Sequence, residues 1–219
     1  KGSQYDRETL KVMQKALSDR SNCIDVGAYR GEITREMLSI CSRGTVIAFE
    51  PIPENYEYLT KHYKSATIFN MALSDTTGQA TFYKVTGRPA RSGLKKQTLP
   101  DPDESVEEIS VEMSTLDDII PVGQKIDFIK IDVEGAELPV LRGGINLIRR
   151  DKPIIVFEFG ESFSMRYNYS AEDIYDFLVN ECGFRLTLMR KWLRQEAPFQ
   201  RSDFLEKTQN RSEYYFMAY

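Results

Sequence analysis

Short β-branched runs alternate with amphipathic stretches along most of this chain, which predicts a mostly parallel sheet with helices on both faces. The runs Cys23–Val26, Thr45–Glu50, Thr67–Met71, Asp127–Asp132 and Ile154–Phe159 read as strands, and Arg185–Met189 with Tyr214–Ala218 would complete the sheet. Helical periodicity fits Glu32–Ser42, Pro53–Tyr63, Glu137–Arg149 and Ala171–Cys182. Pro53 and Pro139 suit a first helical turn, where the missing N–H costs little. Ser170 and Asp173 are spaced as a capping box, and Gly143-Gly144 and Gly183 suit helix ends. One segment breaks the alternation. Gly78–Val85 and Ile109–Met113 read as antiparallel strands around a polar loop, about residues 86–108, that is too long for a connector and is expected to be a mobile cover or substrate loop. A second polar insertion, 190–211, carries the single Trp192. No repeat or linker divides the chain, so one domain over 1–219 is expected, its core within 20–190.

A chain of 219 residues can bury one substantial core, and its net charge of −4 offers no basic footprint for a nucleic-acid backbone. The segment from Arg88-Pro89-Ala90-Arg91 to Lys95-Lys96 is a local basic patch only. No apolar run approaches the roughly 20 residues that cross a bilayer. No secretory signal is present, and Lys1-Gly2-Ser3 reads as a trimmed or engineered start of an excised piece. Cys23, Cys41 and Cys182 are odd in number and lack Cys-x-x-Cys spacing, so they are expected as reduced core residues of a cytoplasmic protein.

The most informative stretch is Cys23-Ile24-Asp25-Val26-Gly27-Ala28-Tyr29-Arg30-Gly31, a buried strand that ends at an acid and turns through glycine into a helix. Ligands of open α/β sheets sit beyond the carboxyl ends of the strands, where a glycine turn admits close approach and a helix start offers free N–H groups. The Gly-x-x-x-Gly spacing differs from the Gly-x-Gly-x-x-Gly of dinucleotide sites and points to S-adenosylmethionine. Glu50, about twenty residues further on, stands where an acid accepts both ribose hydroxyls. An NAD-dependent oxidoreductase would use the same acid, so the glycine spacing makes the choice. Asn70 closes the third strand beside Met71, either against the adenine or as a turn former.

The fourth strand ends Ile129-Lys130-Ile131-Asp132-Val133-Glu134-Gly135-Ala136-Glu137, with three acids within six residues. Buried charges need a partner, so Asp132 is expected to point into the cleft beside the methyl donor. Glu134 sits on the turn, and Glu137 suits a helix start. Glu158 ends the fifth strand toward the same cleft. These oxygens are the candidate catalytic groups, with Asp132 first and Glu134 and Glu158 behind it. A hard cation such as Mg²⁺ is left open, since the spacing does not define a metal site. His62, the single histidine, lies away from the cleft. The Asn/Asp-Pro-Pro-Tyr sequence of base-methylating enzymes is missing after the fourth strand, which favours a hydroxyl acceptor.

These pieces, in order, resemble the FkbM family of S-adenosylmethionine-dependent methyltransferases. They are Ile24 to Gly31, Phe49-Glu50-Pro51, Asn70 to Asp75, Thr115-Leu116-Asp117-Asp118, Phe128 to Glu137 and Val140-Leu141-Arg142-Gly143-Gly144. The resemblance implies a class I methyltransferase (Rossmann-like) fold with a seven-stranded sheet and an antiparallel final strand. It also implies O-methylation of a small-molecule or glycan hydroxyl, such as that of a sugar or natural product. By the same resemblance Gly27, Tyr29, Gly31, Glu50 and Asn70 line the donor site, with Ser92 approaching from the variable loop. Asp25, Ala28, Met71 and Asp132 join the expected donor contacts through their places beside these residues. A methyltransferase-like binding module without catalysis is the non-enzyme alternative.

Overall fold

The expected strand Thr67–Met71 divides between two sheets. In a computed structural model that describes residues 4–97 and 105–219, β1 (Cys23–Val26), β2 (Val46–Phe49) and β3 (Thr67–Phe69) pair in parallel. The chain then breaks at Asn70, whose side-chain amide donates to the carbonyls of Glu50 and Pro51 at 2.9 and 3.1 Å. Beyond it β4 (Met71–Leu73) joins a small sheet with β5 (Gly78–Val85) and β6 (Val106–Ser114), in the order β4-β6-β5. β5 and β6 pair antiparallel, as the sequence pattern predicts.

β7 (Phe128–Ile131) and β8 (Ile154–Glu158) continue the main sheet, and β9 (Leu186–Thr187) and β10 (Tyr215–Ala218) close its far edge. The order is β3-β2-β1-β7-β8-β10-β9, with β10 antiparallel to both neighbours. β1, β2 and β7 are buried at every position. Two covered faces explain why they are apolar except for Asp25 in β1 and Lys130 in β7, which pair with each other.

Helices cover both faces. α1 (Gln4–Ala16) was not anticipated; it packs Val12 and Met13 into a cluster with Met37, Phe128 and Met217. α2 (Glu32–Ile40) follows the glycine turn, and α3 (Pro53–His62) starts on Pro53 as expected. α4 (Leu116–Ile119) is capped by Thr115. The single helix expected over Glu137–Arg149 is instead two, α5 (Glu137–Gly143) and α6 (Ile145–Asp151). The break falls where main chains nearly touch, since a Cβ on Gly143 would lie 2.0 Å from the Ser74 carbonyl oxygen.

Past α7 (Glu161–Ser164), α8 (Ala171–Tyr175) carries both hydrogen bonds of the Ser170–Asp173 capping box. It then widens into a π-helical segment, Asp176–Glu181, where an unbroken α-helix was expected. The 190–211 region is no polar insertion. It holds α9 (Met189–Leu193) and α10 (Arg201–Gln209), and buries Phe199 and Phe204 in the main core. Strand β6 begins at Val106, which shortens the expected 86–108 loop. Part of that loop, 98–104, and the start at 1–3 lie outside the described residues. All three cysteines are buried and free. Among the described residues no helix is long and apolar enough to cross a membrane.

Candidate active site

The turn after β1 is built by main-chain contacts. Gly27 and Ala28 donate to the Phe49 carbonyl at 3.0 and 3.1 Å, which fastens the turn to the end of β2. Gly27 has φ +77°, and a Cβ there would lie 2.0 Å from the Asp132 carbonyl oxygen. Only glycine fits such an approach at a left-handed φ. Tyr29 is also left-handed, at φ +50°, a conformation that costs a non-glycine residue free energy.

Beneath this turn Asp25 is fully buried, and its Oδ2 accepts from Thr34 Oγ1 at 2.6 Å. Its Oδ1 accepts no hydrogen bond and lies 3.6 Å from Lys130 Nζ. Lys130 pairs with Asp25 in register across β1 and β7, lies 3.5 Å from Asp132 Oδ2, and donates to the Gly27 carbonyl at 3.0 Å. Burial works against its charge, yet Asp132 and Asp25 hold the ammonium up at about 12. One lysine thus ties the glycine turn to both acids.

Glu50 follows β2 and is 4 % exposed. Its Oε2 accepts the Tyr29 N–H at 2.8 Å, while Oε1 accepts from Ile52 N–H at 3.0 Å and from Asn55 Nδ2 at 3.3 Å. Burial pushes its pKa up to about 7 against these bonds. A carboxylate offers about four lone-pair directions, so with three donors in place capacity remains on Oε2 for one ligand hydroxyl.

Four acids gather at the end of β7 and β8. Burial alone would raise Asp132, but Lys130, with hydrogen bonds from Tyr215 and Glu158, holds it below the ordinary carboxyl range. Tyr215 Oη donates to Asp132 Oδ2 at 2.7 Å. Glu158 moves the opposite way, pushed well up by burial and by the charges of Asp132, Glu134 and Glu137. Glu134 stands at φ +57° and accepts from Gln97 Nε2 at 3.2 Å; burial and the Asp132 charge push it to about 7. Glu137 is 1 % exposed and serves the turn, accepting the N–H groups of Val133 and Gly135 at 3.2 and 3.1 Å and the Tyr169 hydroxyl at 3.1 Å. Among the described residues no three His, Cys, Asp or Glu side chains are disposed to hold a metal ion.

Two hollows meet above these residues. The first, open to solvent on one side and about 570 Å³ with that open space included, lies between the ends of β1 and β2 and the small sheet. Gly27, Tyr29, Glu50, Met71, Ser92, Asp132 and Glu134 line it, with Phe49, Ile52, Phe82 and Leu94 as apolar walls. The second, about 1170 Å³, opens toward α1 and is lined by Asp6, Thr9, Asp25, Ala28, Glu32, Lys130 and Tyr215. Both share Gly27, Tyr29, Ala90 and Asp132.

Most of the expected residues thus converge. Asn70, Gly31 and Glu158 line neither hollow: Asn70 grips the Glu50–Pro51 main chain, Gly31 starts α2, and Glu158 stands behind Asp132. Ser92 reaches the first hollow while its hydroxyl accepts the Val85 N–H at 2.9 Å. Lys130, Tyr215 and the α1 residues were missed. A lysine inside the apolar run Phe128–Ile131 was the available signal, because such a charge requires partners.

The strand order and the antiparallel last strand define a class I methyltransferase fold. The sequence matches the Methyltransferase FkbM domain over residues 25–186, well over half of the chain, and the protein belongs to that family. A curated relative, Methyltransferase 1 of Beauveria bassiana (strain ARSEF 2860), is 26% identical over 148 residues, covering 57% of this chain and 59% of the relative. The solved Methyltransferase FkbM from Methylobacillus flagellatus KT superposes with a TM-score of 0.55 at 17% identity, over 93% of this chain and 44% of that one. The plantazolicin methyltransferase BpumL, solved in complex with a pentazolic desmethylPZN analog and SAH, gives 0.51 at 8% identity, over 99% and 84%. The matched region spans about three-fifths of the curated relative and under half of the FkbM structure.

Proposed function

We propose that this chain transfers a methyl group from S-adenosylmethionine to a hydroxyl oxygen, with Asp132 receiving the proton. The observation that carries the reading is that the two hollows meet at Asp132. The first suits the nucleoside: Glu50 accepts a ribose hydroxyl, Phe49, Ile52, Phe82 and Met71 enclose the base, and the Gly27 turn lets the backbone come close. S-adenosylmethionine supplies an electrophilic methyl: the hydroxyl lone pair forms the C–O bond, the C–S electrons return to sulfur, and the hydroxyl proton leaves. The chain's own work is to hold oxygen and carbon in line, which can contribute about 7–11 kcal/mol.

Asp132 stands at the shared wall, kept ionised by Lys130 and Tyr215. Its charge favours the sulfonium as well as the departing proton. Glu134 is a second candidate base, favoured by a pKa of about 7 close to working pH, although it lines the first hollow only. Lys130, 3.5–3.6 Å from Asp132 and Asp25, supplies the counter-charge among the acids, and no metal step is invoked. Membership of a methyltransferase family favours the methyl donor over NAD and an enzyme over a bare binding module.

Calorimetric titration with S-adenosylmethionine, S-adenosylhomocysteine and NAD, followed by transfer of a tritiated methyl to hydroxyl acceptors, tests the reading. The adenosyl ligands should bind and NAD should not, and Asp132→Asn should abolish transfer while the fold persists. Binding of NAD alone would overturn it.

A further inference from the structure

The first helix and the last strand meet at the central acid. Tyr5 stands in the first turn of α1 and Tyr215 opens β10, and neither lies within residues 25–186, the stretch that the family match covers. Their rings stack with centroids 4.6 Å apart and planes 27° from parallel, while Tyr215 Oη donates to Asp132 Oδ2 at 2.7 Å. We propose that Tyr5 is a positioning residue for the transfer: its ring holds the Tyr215 hydroxyl on Asp132, which makes α1 part of the site. This rests on the reading above, in which Asp132 receives the proton.

A phenol reaches a fixed carboxylate only while its ring keeps one tilt, since rotation about either side-chain bond swings the hydroxyl away. Pairing with β8, where Tyr215 lies opposite Glu158, fixes the main chain of β10 but not those two side-chain angles. Stacking supplies the missing restraint, because aromatic pairs favour a narrow set of mutual orientations. Tyr5 is in turn carried by a well-anchored helix. α1 buries Val12 and Met13, Thr9 Oγ1 donates to Met189 Sδ at 3.3 Å, and Lys15 donates to the Leu193 carbonyl at 3.3 Å. The ring is thus braced by α9 on one side and passes that restraint to the acid on the other. Asp132 also faces Lys130, Glu134, Glu137 and Glu158, and Tyr215 faces Asp6. The charges beside Tyr5 are Glu8, Arg190 and Glu213, the last two joined as an ion pair just before β10. Substitutions at Tyr5 leave every one of these groups in the chain.

NMR of tyrosine isotopically labelled at Cζ reads the hydroxyl directly and needs neither donor nor acceptor. In an equal mixture of light and heavy water, a phenol that exchanges its proton slowly gives two Cζ signals, and a fast one gives a single averaged signal. Loss of a signal in Tyr215→Phe identifies Tyr215. The unaltered protein and Tyr5→Phe, which keeps the stacked ring, should both show two signals. Tyr5→Leu should show one, its exchange faster by about tenfold, the equivalent of a stacked aromatic pair. Tyr5→Ala should behave in the same way, with the circular dichroism of a folded chain in both. Two signals in the folded ringless variants, or one in the unaltered protein, would overturn the proposal. A single signal in Tyr5→Phe would assign the restraint to the Tyr5 hydroxyl and overturn it as well. Transfer retained by Asp132→Asn would overturn the proton-accepting role, and this proposal with it; the hydroxyl exchange distinguishes that failure from a failure of the stack.

Discussion

Tyr215 Oη donates to Asp132 Oδ2 at 2.7 Å, so the antiparallel last strand delivers a hydroxyl to the acid at the centre of the site. The same ring stacks on Tyr5 of α1 at 4.6 Å between centroids, tying the first helix to that acid. A hydrogen bond to the ionised form lowers a carboxyl pKa, so Tyr215→Phe should raise Asp132. The acidic limb of the methyl-transfer rate should then move up by about one pH unit. An unmoved limb would remove Asp132 as the proton acceptor and favour Glu134.

Glu50 should make donor binding depend on pH. Its pKa is pushed to about 7, so between pH 8 and 6 it gains a proton and loses acceptor strength toward the ribose. Affinity for S-adenosylhomocysteine should fall by about tenfold over that range, since hydrogen bonds to charged groups are the stronger ones. Glu50→Gln should bind weakly and flatten the dependence. Titration at several pH values decides; a flat profile in the unaltered protein would place the ribose elsewhere.

Stability of the ligand-free protein should rise on mild acidification. Glu50 and Glu137 both sit near 7 in the fold, above an unfolded value of about 4.3. Groups raised in this way contribute stability that is fully present below the unfolded value and lost as pH climbs through the folded one. The melting temperature should therefore increase from pH 8 toward pH 5. Glu137→Gln keeps an oxygen for the Val133 and Gly135 N–H groups and removes the buried charge. It should stabilise the protein at pH 8 by on the order of 1–3 kcal/mol. A lower melting point for this variant at pH 8 would contradict the assignment.

Gly27→Ala should cost on the order of 2 kcal/mol, because the new methyl meets the Asp132 carbonyl at a left-handed φ. The turn would have to move away from β7, and donor affinity should fall with it. Thermal melting and donor titration together check this. Unchanged values in both would show that the turn is looser than its contacts.

The sequence pattern placed β1, β2, β7 and β8 to within two residues, because strands covered on both faces are mostly apolar. It could not show that Thr67–Met71 feeds two sheets, since pairing partners lie far away in the chain. Asn70, polar inside an apolar run, was the local sign. α1 was passed over because only Thr9, Val12 and Met13 are fully buried, a narrow stripe among many charges. Phe199 and Phe204 were hidden in the same way by charged neighbours. At the site, Gly27, Glu50 and Asp132 were legible from residue type and position. Tyr215 was not, because its meeting with Asp132 depends on the direction in which the last strand runs.

The break at Asn70 gives the first hollow a floor and a roof of separate construction. Val26 and Phe49 belong to the seven-stranded sheet, whereas Leu73 and Phe82 belong to the three-stranded one, which packs its own cluster of Ile52, Ala72, Phe82 and Val111. A single side-chain amide clamps the seam. Substitutions in the hairpin can thus remodel the roof of that hollow while the supporting sheet, and the carboxylates it aims, stay in place.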